Sequence, residues 1–209
     1  MSRTSMDMTR GSLKKQILFF SIPLMLSNLL QVLFNMSDIA VIGQFAGAMS
    51  LGGVGSTTTL ISMYTGFLIG LSGGINVLTA LYIGARNRKS VSETVHSAFL
   101  VSLAVGLILL ILGVSTSRGV LVLLNTKEEL IDKAALYIRI YFLGIPALAL
   151  YNFGNAVFSA AGDTGRPLRY LFLSGIVNVI LNLFFVIVCK LDVVGVALAS
   201  AVSQCLSAF

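Results

Sequence analysis

Charge is what this sequence has least of. Only 11% of its 209 residues are charged, against about 25% in an ordinary soluble domain. Hydrophobic residues make up 56%, and the mean hydropathy is +0.95. A surface built from so few charges excludes a water-soluble domain, so lipid is the solvent for most of the chain. Cysteine is scarce as well. Cys189 and Cys205 sit in apolar runs, without metal-ligand spacing and without the framework of a disulfide-stapled secreted domain, and they read as packing residues. The one histidine, His96, lies near a helix start and reads as structural rather than as a proton shuttle. No nucleophile–base pair, metal-ligand set or phosphate-binding motif stands out, which argues against an enzyme and against a resident cofactor.

What the chain does have is long uncharged stretches, from Ile39 to Ala85, Tyr170 to Cys189 and Val193 to Phe209. A bilayer core about 30 Å thick takes roughly 20 apolar residues per helix. Six helices fit the pattern: Ile17–Gly43, Gly53–Gly84, Thr94–Leu123, Glu128–Ala160, Leu168–Cys189 and one from Val193 onward, cut short at the chain end. The first is too long for a signal-peptide core and lacks a small-residue cleavage site, so it is expected to stay as a membrane anchor. Ser90-x-x-Glu93 and Thr126-x-x-Glu129 have the form of capping boxes for the third and fourth helices. Gly162-Asp163-Thr164-Gly165-Arg166-Pro167 reads as the tight turn between the fourth and fifth. The expected fold is an all-α integral membrane protein, a six-transmembrane-helix bundle over 17–209 that follows an N-terminal segment over 1–16.

A net charge of +6 and a pI near 9.6 would suit a nucleic-acid partner if the basic residues formed a face. They sit instead in short loops between apolar segments. Arg3, Arg10, Lys14 and Lys15 precede the first helix, Arg86, Arg88 and Lys89 join the second to the third, and Arg166 and Arg169 flank the fourth-to-fifth turn. The alternate connections carry no charge, or mixed charge at Arg118, Lys127, Lys133, Glu128, Glu129 and Asp132, or the pair Lys190 and Asp192. Positive residues favour the cytoplasmic side. The N-terminus and those three basic regions are therefore expected in the cytoplasm, the protein in the cell membrane, and nucleic acid is not expected as a partner.

Asp7, Glu93, Glu128, Glu129, Asp132, Asp163 and Asp192 lie at helix ends or in loops, whereas Asp38 lies deep within a span. A charged side chain at that depth costs about 2.5–3.5 kcal/mol on insertion scales, so it is expected to face a polar interior and to serve a function. The plainer alternative is a structural hydrogen-bonding aspartate. Asn28, Gln31, Asn35 and Asp38 are spaced three, four and three apart, one stripe of the first helix. Pro23 lies just before that stripe and is a candidate kink, structural or otherwise. Ser174, Asn178 and Asn182 repeat every four residues on the fifth helix, and the sixth offers Ser200, Ser203 and Gln204. Asp38 with Asn178, Asn182 and Ser200 would make an oxygen cage suited to a hard cation such as Na⁺; ordinary interhelical hydrogen bonding is the alternative for each. Asn28, Gln31 and Asn35 of the first stripe are candidates for lining a substrate cavity, as are Tyr64, Tyr151, Asn152 and Asn155, for which core packing is the alternative; Arg139 is a candidate for reaching the outer interface or pairing locally, and Gly66, Gly70, Gly73 and Gly74 for close helix approach.

Four segments in order resemble the multidrug and toxic compound extrusion (MATE) family: Ile22-Pro23-Leu24-Met25-Leu26-Ser27-Asn28-Leu29 leading to Met36-Ser37-Asp38; Ala161-Gly162-Asp163-Thr164-Gly165-Arg166-Pro167-Leu168; Asn178-Val179-Ile180-Leu181-Asn182; and Gly195 to Gln204. The resemblance implies a secondary antiporter that exports small organic, often cationic or amphipathic, compounds against Na⁺ or H⁺. It implies twelve helices in two six-helix lobes with the substrate pathway between them. This chain would supply the first lobe, a second lobe would be its missing partner, and alone it would not be expected to transport. The family's cation site matches Asp38, Asn178, Asn182 and Ser200. At Asn182 the sequence departs from a pattern that often has a second carboxylate, which leaves one negative charge and removes a two-carboxylate proton relay. A related oligosaccharide-lipid flippase would call for several basic residues in the spans, and these spans hold almost none. A non-transporting membrane scaffold would have no need of the polar stripes.

Overall fold

The computed structural model describes residues 13–208, and all the regular structure within them is helical. Arg3, Asp7 and Arg10 lie outside the described residues. The elements are α1 (Leu13–Phe45), α2 (Ala48–Gly84), α3 (Arg88–Leu123), α4 (Glu128–Phe142), α5 (Ile145–Ala160), α6 (Gly165–Leu183), continued by a π-helical turn at Phe184–Val188, and α7 (Asp192–Ala208). Four helices, over Ile17–Phe45, Ala48–Gly84, Arg88–Leu123 and Gly165–Val188, are long and apolar enough to cross a bilayer. The chain is an all-α, multi-pass membrane protein.

The fourth predicted span, Glu128–Ala160, is not one helix. It breaks into α4 and α5, bent by 50°, and the sequence around Pro146 explains where. Proline has no N–H to give to the carbonyl four residues back, and its ring collides with it. For Pro146 that carbonyl belongs to Phe142, the last residue of α4. Gly144, in the break, presses against α7: a Cβ there would run into Gln204 Oε1 and come within 2.9 Å of Ala201 Cα.

Helix starts also differ from the expected capping boxes. α3 begins six residues before Thr94, with Asn87 as its cap, and the Ser90 N–H donates to Asn87 Oδ1 at 3.2 Å. Asparagine is among the strongest N-caps, so it preempts Ser90. α4 starts after Lys127 with no side-chain cap, and Thr126 plays no part; Glu128 and Glu129 complement the positive end of the helix dipole instead. The turn at Gly162 is as expected, with φ +79°. Pro167 is the third residue of α6, not the first, still within the turn whose N–H groups lack helical partners.

The most extensive packing is α3 on α5, α6 on α7, α2 on α5, α1 on α6 and α3 on α4. Tyr137, Phe142, Ile42, Ile61, Ile138 and Val196 fill the core, while Met25, Leu100, Ile111 and Leu123 are exposed, as lipid-facing residues are. Close approach does not come from Gly66, Gly70, Gly73 and Gly74, since a Cβ at any of them would meet nothing within 4 Å. It comes from Gly106 against Pro146, Gly113 against the Phe142 ring and Gly175 against the Phe34 ring. These glycines lie where α3 meets α4 and α5, and where α6 meets α1.

At the head of α7, Lys133 Nζ donates to Asp192 Oδ2 at 2.7 Å and to Ser50 Oγ at 2.6 Å, tying α4, α7 and α2 together. Burial pushes the Asp192 carboxyl up, but hydrogen bonding to Lys133 and Ser50 and the Lys133 charge outweigh it and hold the group below its ordinary range. Arg139 donates to Ser117 Oγ at 3.3 Å, a local pairing.

Candidate functional site

α1 carries Asp38 into the bundle where α4, α6 and α7 converge, and the residue is 1% exposed. Asn178 and Asn182, one turn apart on α6, face it because residues four apart share a helix face. Asn182 Nδ2 donates to Asp38 Oδ1 at 2.8 Å and lies 3.2 Å from Asn178 Oδ1 as donor. Ser200 Oγ donates to Asp38 Oδ2 at 2.6 Å and accepts from Asn178 Nδ2 at 3.2 Å. The structure thus brings all four predicted residues into one closed hydrogen-bonded network.

A fifth member was not expected. The Tyr137 hydroxyl, on α4, donates to Asp38 Oδ2 at 3.1 Å, and the residue is fully buried. Its ring stacks on Tyr141 with centroids 5.9 Å apart. The available signal was a pair of tyrosines four apart inside an apolar span, one helix face again. Three donors therefore converge on a single buried carboxylate, as burial of an ion demands. Asn182 Oδ1 is left buried with no partner among the described residues.

The rest of the α1 stripe stays outside this network. Asn28, Gln31 and Asn35 line a groove of about 250 Å³ between α1 and α2, with Ser62 and Thr65 opposite. Gln31 and Asn35 also border a narrow internal cavity of about 50 Å³ that reaches Asp38 past Thr65, Tyr141 and Gln204. The groove and this cavity share Gln31, Asn35 and Thr65 in their walls. The other cavity candidates do not meet there. Tyr64 packs edge-on against Phe142, and Asn152 Nδ2 donates to the Leu148 carbonyl at 2.9 Å. Tyr151 and Asn155 line a separate pocket of about 200 Å³ beside Pro167 and Tyr170. His96 is exposed, its Nδ1–H donating to the Ser92 carbonyl at 2.8 Å.

Chemically, the site presents one carboxylate, two amides and two hydroxyls, all hard oxygen donors once the amides turn their oxygens inward. That set matches a hard monovalent cation or a proton and not a soft metal.

The sequence matches the family model described as MatE over residues 23–184. It is 31% identical over 198 residues to the probable multidrug resistance protein YpnP of Bacillus subtilis, covering 95% of this chain and 44% of that protein. It is 27% identical over 170 residues to the probable multidrug resistance protein NorM of Thermotoga maritima, covering 81% of this chain and 36% of that protein. A crystal structure of MATE in the bent conformation superposes with a TM-score of 0.89 at 26% identity, over 94% of this chain and 44% of that one. The chain therefore spans less than half the length of these relatives.

Proposed function

The chain belongs to the MatE family, and from that premise we propose that it is the first lobe of a secondary antiporter that exports small organic, cationic or amphipathic compounds in exchange for Na⁺ or H⁺ across the cell membrane. The observation that carries this reading is the closed network on Asp38. Relatives described as multidrug resistance or multidrug export proteins support the cargo class, and the relatives' greater length supports a second lobe facing this one.

The mechanism follows from charge. An ionised Asp38 is held by Ser200, Tyr137 and Asn182, so the buried charge has three donors but no counter-charge among the described residues. A proton or Na⁺ supplies the counter-charge. For Na⁺, Asp38, Asn178, Asn182 and Ser200 are the residues that would hold the ion. The unpartnered Asn182 Oδ1 makes this feasible, because half a turn of that amide exchanges the donor facing Asp38 for an acceptor. With one carboxylate in the network, the charge balances at one cation, and Na⁺ and H⁺ compete for it.

Neutralising Asp38 removes the electrostatic reason for its three donors to converge. Donors from α4, α6 and α7 are thereby released or rearranged together. A cation bound more tightly in one arrangement shifts the population toward it, which is what alternating access requires. The test is efflux of a fluorescent cationic dye from proteoliposomes holding the complete two-lobe protein, with Na⁺ and pH gradients imposed separately. Efflux driven by either gradient and suppressed by excess of the other cation supports the proposal. Efflux indifferent to both gradients would sink it.

A further inference from the structure

The two sides of α1 differ. At 100° per residue, Asn28, Gln31 and Asn35 fall on the side that faces α2, whereas Leu26, Leu29 and Leu33 fall about opposite, toward α6. On that second side α1 and α6 form an open groove of about 620 Å³, walled by those leucines and by Phe172 and Leu173, with Arg169 at its edge. Leu29, Leu33, Phe172 and Leu173 are all exposed there. Arg169 is exposed, and among the described residues it has no ion-pair partner.

Depth matters as much as composition. Arg169 precedes Asn178 by nine residues and Asn182 by thirteen on the same helix, about 14–20 Å at 1.5 Å per residue. Arg169 is also the fifth residue of the apolar span Gly165–Val188, so its long side chain reaches the headgroup region from that end of the span. An arginine with no ion-pair partner among the described residues is thus set near headgroup depth beside an apolar trough. Arginine is the side chain best suited to phosphate, through paired N–H donors.

We propose that the α1–α6 groove is a binding site for an anionic phospholipid, whose phosphate lies on Arg169 and one of whose acyl chains occupies the trough between Leu26, Leu29, Leu33, Phe172 and Leu173. A lipid suits this groove better than a second protein lobe because the polar α1 side, with the groove lined by Asn28, Gln31 and Asn35, lies opposite. The trough itself offers a partner protein nothing polar except Arg169.

These 209 residues contain no tryptophan; in the complete two-lobe protein, with any tryptophan of the other lobe replaced by phenylalanine, Phe172→Trp installs a single reporter in the groove, and Ile108→Trp, on the exposed face of α3, serves as the lipid-facing control. Each variant is reconstituted into phosphatidylcholine vesicles containing a minor fraction of either brominated phosphatidylglycerol or brominated phosphatidylcholine of the same chains, and tryptophan quenching is measured. One basic side chain near the surface corresponds to about a fivefold preference for the anionic lipid. That preference is expected from the groove reporter and not from the α3 control, weakened in 1 M salt, abolished by Arg169→Gln and retained by Arg169→Lys. A misfolded variant would alter quenching of both reporters, whereas loss of the site alters it in the groove alone. Equal quenching of the Phe172→Trp variant by the two lipids overturns the proposal. So does a preference that survives Arg169→Gln, and so does protection from both lipids, which would mean that protein covers the groove.

Discussion

Ser200→Ala is the substitution whose cost the structure fixes most closely. It deletes the shortest bond to Asp38, 2.6 Å to Oδ2, together with the acceptor for Asn178 Nδ2 at 3.2 Å. A bond to a charged group contributes about 1.5–3 kcal/mol, and a neutral interhelical bond in a membrane averages about 0.6. Asp38 Oδ2 keeps Tyr137 as a donor at 3.1 Å, which moderates the loss to about 2–3 kcal/mol. Tyr137→Phe removes a longer bond and leaves Ser200 in place, so about 1 kcal/mol is expected. The double variant strips Oδ2 of both donors and should cost about 1 kcal/mol more than the sum, since groups sharing one partner do not act independently. Reversible unfolding in detergent, followed by far-ultraviolet circular dichroism, reads all three, with Ser200→Thr as the hydroxyl-preserving control. A Ser200→Ala loss below about 0.5 kcal/mol, or strict additivity in the double variant, would refute the idea that these donors hold a buried charge.

Gly113→Ala places a methyl group on the Phe142 ring and should cost about 1–3 kcal/mol of overpacking, whereas Gly70→Ala, which meets nothing, should leave the melting temperature unchanged or raised. For the Lys133–Asp192 pair, the lowered carboxyl means that its stabilisation is complete above the ordinary aspartate value of about 3.9 and is lost as pH falls through the folded value. Asp192→Asn should therefore melt below the unaltered protein at pH 7 and converge with it as the pH falls below the ordinary aspartate range; a constant gap would contradict the pairing. With Cys189 and Cys205 replaced by Ser, a single cysteine at Arg88 should resist an impermeant maleimide added outside intact cells, and labelling from outside would reverse the expected topology.

Part of this architecture is legible in residue chemistry alone. Helices in lipid must bury every backbone polar group, so uncharged runs locate them, and five of the six expected spans correspond to single helices or to a helix with its π-helical continuation. The break after Phe142 is hidden because hydropathy runs unbroken through Gly144 and Pro146. Only the missing N–H of Pro146 and the close approach of α7 to Gly144 reveal it. Asp38, Asn178, Asn182 and Ser200 stand out as polar residues in apolar spans, and the structure does bring them together. Tyr137 does not stand out, because a tyrosine is ordinary in an apolar helix and its partner lies 99 residues away. The stripe through Asn28, Gln31 and Asn35 shares a helix face with Asp38 but opens on a groove, since the packing of α6, α2 and α7 decides how deep each turn of α1 is buried. Gly66 to Gly74 looks like a packing motif, yet small residues describe only how near a neighbour can come, not whether one is there.

The most direct test of the account is substrate efflux by Asp38→Asn in the complete transporter. The replacement preserves the size of the side chain and an oxygen for Ser200 and Tyr137 while removing the charge that a proton or Na⁺ must balance. A folded Asp38→Asn protein that still binds the dye but no longer exports it under an imposed Na⁺ or pH gradient is the predicted result. Export at the unaltered rate under the same gradient would make Asp38 a structural residue and contradict the coupling mechanism.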